Sequence, residues 1–64
     1  MNNKSKFKVG DFVKVVNHEW LGWNGFYGII ITVVENEIIE VVLAGFSGGS
    51  RMFKKRNLQL LAKA

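Results

Sequence analysis

The side chains with chemistry to offer in this 64-residue chain are of two kinds, cations and aromatic rings. Catalysis needs a nucleophile beside a base, paired carboxylates or a metal cluster. The chain has no cysteine, and His18 is its single imidazole, so a thiolate zinc site and a Cys/His couple are both excluded. The acids Asp11, Glu19, Glu35, Glu37 and Glu40 form no catalytic pair. The sequence therefore predicts no catalytic residue, no metal ligand set and no cofactor. It predicts a protein that works by binding.

What could bind is concentrated at the ends of the chain. All nine basic residues lie before residue 15 (Lys4, Lys6, Lys8, Lys14) or after residue 50 (Arg51, Lys54, Lys55, Arg56, Lys63), while four of the five acids lie between them. Gathered cations bind polyanions by releasing counterions, which marks Lys14, Arg51, Lys54, Lys55 and Arg56 as candidate nucleic-acid contacts. Trp20, Trp23 and Tyr27 are candidate stacking surfaces for bases. Each feature has a plainer use: the run Lys54, Lys55, Arg56 as a solvated turn, Phe26 and Phe53 as core or lid residues. The residues SGGS at 47–50 lack the GK[ST] ending of a nucleotide-binding loop and suit a flexible connection.

The elements that must position these groups are strands. No stretch of ten residues has helical periodicity, and β-branched and alternating runs recur. Strands are predicted over residues 11–16, 27–34, 38–43, 51–53 and 58–61. A long aromatic loop covers 17–25, a hairpin turn 35–37, and a single 3₁₀ turn 54–57. Val13, Val15, Ile30, Val33, Ile39, Val41, Leu43, Leu58 and Leu60 form the inward set. A chain this short, with neither disulfide nor zinc, depends on that core, and its radius of gyration should be about 11 Å.

Val9, Gly10, Asp11, Val13 and Val15 resemble the opening VGDxVxV of many SH3-like barrels, and Gly25, Gly28 and Ile30 are similar to the G-x-x-G-x-[IV] of the KOW motif. Phe53, Asn57, Leu58 and Leu60 resemble the family's closing turn and N-L-x-L strand. The resemblance spans residues 9–61. It implies an all-β, five-stranded SH3-like barrel of the KOW type over residues 9–62, preceded by a flexible basic arm over 1–8. KOW domains occur in the transcription elongation factor NusG and in RNA-contacting ribosomal proteins, so the implied partner is RNA or DNA in transcription or translation. In such a barrel the first and last strands are neighbours, which would merge Lys14 with residues 51–56 into one electropositive pole opposite an apolar hairpin.

The hairpin strands carry more apolar residues than one interior holds. Ile29, Ile31, Val34, Ile38 and Val42 are left over, to be taken up by strand irregularity or by an outer patch. The run GIIITVV at 28–34 is uncharged and β-prone, and calls for shielding. Ile29, Ile31 and Val42, with Trp20 and Trp23, thus support an alternative function: a protein-binding adaptor or inhibitor acting on a nucleic-acid machine such as RNA polymerase or the ribosome, of the kind a phage would encode. A homodimer would cover the same patch. The longest apolar run falls far short of the ~20 residues that span a bilayer, and no signal peptide is evident, so the expected setting is cytoplasmic, away from membranes.

Overall fold

The computed structural model describes residues 7–35 and 37–64. The elements are β1 (Phe12–Val15), the 3₁₀ turn η1 (Leu21–Trp23), β2 (Tyr27–Val33), β3 (Ile38–Leu43), β4 (Ser50–Lys54), the 3₁₀ turn η2 (Lys55–Asn57) and β5 (Leu58–Ala62). The chain is all-β, as the periodicity predicts, and element ends shift by a residue or two. All five strands lie in one antiparallel sheet of order β4, β3, β2, β1, β5. First and last strands are neighbours.

That order forces curvature. Laid flat, the outer strands β4 and β5 would stand roughly 19 Å apart, four inter-strand spacings. Yet only the three residues of η2 join them, and a 3₁₀ turn of that length advances about 6 Å. The sheet therefore curls around a single interior, where Val13, Val15, Ile30, Ile39, Val41, Phe53 and Leu58 from all five strands form one buried cluster. The Cα radius of gyration is 10.9 Å, the value expected for a chain packed this way.

Two irregularities sort the surplus apolar residues. Ile30 pairs with Val41 and Thr32 with Glu40, so Ile31 is an extra residue in β2. This bulge lets Ile30 and Val33 both turn inward although they stand three apart, and it leaves Ile31 exposed. A second shift sets Phe12 against Ala62 but Val13 against Leu60, which leaves Leu61 outside the ladder. β1 pairs with residues 27–29 and β3 with residues 28–33, so the first residues of GIIITVV are bonded on both edges.

Gly28 faces inward opposite Val13, and its missing side chain is the point. A Cβ there would lie 2.5 Å from Val41 Cγ1 and 2.6 Å from the Val42 carbonyl oxygen. The spacing of Gly25, Gly28 and Ile30 thus has a local cause: a turn residue at φ +94°, a close approach, and a core side chain.

The amino-terminal boundary differs from the expected arm over residues 1–8. Phe7 is 5% exposed and belongs to the core, while residues 1–6 lie outside the described residues. Gly10, at φ +97°, turns the chain into β1. Asp11, 1% exposed, then closes the turn, its Oδ2 accepting the Lys8 N–H at 3.0 Å and its Oδ1 the Ala64 N–H at 2.9 Å. The Ala64 bond holds the Asp11 carboxyl below the usual carboxylate range. Burial opposes it, and the Lys8 N–H and the charges of Lys63 and Lys8 assist.

Candidate functional site

The loop between β1 and β2 is ordered by its own polar groups. The His18 N–H donates to Asn24 Oδ1 at 2.8 Å, Asn24 Nδ2 donates to the His18 carbonyl at 3.2 Å, and the Trp20 N–H donates to His18 Nδ1 at 3.0 Å. From the other side Asn57 of η2, itself buried, donates through Nδ2 to the Asn17 carbonyl at 3.0 Å. Asn17 takes φ +54°, which an Asn tolerates, and the chain leaves β1 toward η2 and β4. His18, to which no special part falls on sequence grounds, is a hinge of this loop.

So anchored, the loop lays its aromatic rings on β4. Trp23 meets Phe53 at 6.0 Å, Phe46 at 5.2 Å, Phe26 at 5.8 Å and Trp20 at 5.3 Å between ring centroids. Half-buried Trp23 and Phe46 complete the core, and Trp20 is left 62% exposed. The Arg51 guanidinium lies 5.1 Å over the Trp23 ring and 5.6 Å from that of Phe46, a cation–π contact with two rings that themselves meet edge to face. The sequence singles out Arg51 and Trp23 separately. Their pairing, and the part of Phe46, come from the fold.

Beside this cluster runs an open groove lined by Asn17, His18, Glu19, Met52, Phe53, Lys54 and Arg56. It continues past Arg56 and Asn17 along Leu58, Gln59 and Leu60. Residues of β4, which has β3 as its one strand partner among the described residues, and of the turn η2 line it. Among the described residues, Arg51, Lys54, Lys55 and Arg56 take part in no ion pair. Their charge is available to a ligand, and Glu19 is the one acid on the groove wall.

The remaining expected site residues lie elsewhere. Lys14 pairs with Tyr27 and Gln59 across β1, and its Nζ sits 5.7 Å over the Tyr27 ring. Tyr27 stacks on Phe12 at 5.7 Å and 16°, on the outer sheet face. Lys14 and Tyr27 therefore form their own pair, separate from Arg51 and Trp23. Lys55 is half-buried at the hairpin tip, where its N–H donates to the Glu37 carbonyl at 2.9 Å. The basic turn thus abuts the tip of the hairpin instead of standing opposite it. Ile29, Ile31 and Val42 are exposed.

Among the described residues no three His, Asp or Glu side chains gather as metal ligands, and no helix is long and apolar enough to cross a membrane. Compared with known protein families, curated proteins and solved structures, the chain matches none.

Proposed function

We propose that the protein binds single-stranded nucleic acid along the groove beside β4, without catalysing a reaction. Exposed Trp20, backed by Trp23, offers a stacking face, and Arg51, Lys54 and Arg56 neutralise phosphates. The observation that carries this reading is Arg51 lying over Trp23, with exposed Trp20 beside it and Lys54 and Arg56 lining the neighbouring groove. Cations next to an accessible indole are what a polyanion with exposed bases requires. A base pair in a duplex hides its π-face, so the tryptophans favour an unstacked strand. A place in transcription or translation accords with the KOW-like motifs.

Titration of a short RNA or DNA strand against tryptophan fluorescence tests the proposal. Three cations engaging three phosphates give a log–log salt slope of about −2 for a single strand. Arg56→Ala should bring the slope nearer zero by about 0.7, whereas Lys14→Ala, on the outer face, leaves it unchanged. A salt-independent signal, or equal loss from both variants, would sink this site.

A further inference from the structure

The outer face of the sheet is apolar in a way the groove does not use. Phe12, Ile29 and Val42 stand opposite one another across β1, β2 and β3, with Ile29 42% and Val42 43% exposed. Tyr27 extends the row on one side, and bulged Leu61 lies beyond Phe12. This row is bounded by two charges of opposite sign. Lys14 lies one strand from Ile29 on the β1 side and one same-face step toward Tyr27. Glu40 lies one strand away on the β3 side and one same-face step in the opposite direction, where its carboxylate accepts the Ser50 hydroxyl.

We propose that this face is the interface of a homodimer, in which Lys14 of each copy meets Glu40 of the other. In sheet geometry both residues are displaced from Ile29 by about 4.8 Å sideways and about 6.8 Å along the strand, in opposite senses. A two-fold axis lying in the face, through Ile29 and perpendicular to the line from Lys14 to Glu40, carries each lysine onto the glutamate of the second copy. Ile29 then packs on Ile29 at the centre, and the two sheets cross at about 70°, near the orthogonal class of sheet packing. The paired charges also select the occupant. An acidic partner would leave Glu40 opposed and a basic one Lys14, whereas a second copy pairs both. A stable interface takes roughly 800 Å² from each partner, about a fifth of the 4183 Å² that the chain exposes, so the dimer should dissociate on dilution.

Sedimentation velocity on the full chain, diluted from about 1 mM to about 1 μM, reads this directly. The expected mass falls from twice 7.2 kDa to 7.2 kDa. Ile29→Glu should give the single-chain mass throughout, with an unchanged far-UV circular dichroism spectrum. Lys14→Glu and Glu40→Lys should each weaken the dimer about tenfold, and the double exchange should restore it. The single-chain mass at every concentration, a dimer indifferent to Ile29→Glu, or a double exchange no better than the single ones overturns the proposal. If Ile29→Glu does not fold, the charge exchange decides alone.

Discussion

Among the described residues two cations sit over aromatic rings, Arg51 over Trp23 at 5.1 Å and Lys14 over Tyr27 at 5.7 Å, and their surroundings differ. Trp23 comes from an irregular loop and touches Phe26, Phe46 and Phe53, so it is part of the interior and of the surface at once. Around it lie β4, an outer strand of the sheet, and cations that make no ion pair among the described residues. Tyr27 stands at the start of β2, where the backbone is bonded within the sheet, next to Phe12 and an apolar row. The same pair of side-chain types thus borders a polar groove in one place and the apolar outer face of the curled sheet in the other. Which ligand a cation and a ring favour depends on whether the backbone beside them still has bonds to give.

The largest test breaks both regions together. Gly28→Ala places a Cβ against Val41 and the Val42 carbonyl, and the backbone atom has little room to retreat. Overpacking of this sort should cost about 3 kcal/mol, visible as a lower midpoint in urea unfolding. The next test separates the regions. Trp23→Ala should lower stability by about 2–3 kcal/mol, since the ring closes the core, and should abolish binding of single strands. Tyr27→Ala should cost about 1 kcal/mol, because an exposed stack on Phe12 and the contact with Lys14 are lost, and should leave strand binding intact. Equal effects in fluorescence titration and thermal melts would erase the distinction drawn here.

The smallest effect concerns the clasp beneath both regions. The Asp11 carboxylate is favoured by the Ala64 and Lys8 N–H groups, so its folded-state pKa lies below its unfolded one. Its contribution to stability is therefore whole above the usual carboxylate range and lost as pH falls through the depressed folded value. Melts from neutral to acid pH should show this decline, and Asp11→Asn should lower the neutral-pH stability and flatten the acid slope. An unaltered slope would assign the decline to other carboxylates.

Much of the fold is legible from alternation, because a half-buried strand must place apolar residues two apart. Ile38–Leu43 matches its expected range, and the inward choices on β1, β3 and β5 agree with the buried set. Even the bulge in β2 leaves a mark, since Ile30 and Val33 can share an interior only if one residue between them is surplus. Phe7 is not legible. A lone aromatic among lysines has no periodicity, and its burial depends on the barrel end it meets. Of the site, the cations and tryptophans are visible as types, but the partition of Trp23 to Arg51 and Tyr27 to Lys14 is not. Residue types reveal what a side chain can do, whereas its neighbours across the sheet lie tens of residues away in the chain.

By itself, the order of residues determined the strands, the inward face, the positions of the turns and the supply of cations and rings, all of which follow from local sterics and the two-residue period of the pleat. The tertiary structure alone decided that the aromatic loop lies on β4, that the hairpin tip abuts the basic turn, and that Asp11 ties the turn at Gly10 to Ala64. These depend on how far a curled sheet brings its edges together, a distance set by closure around one core and carried by no single segment.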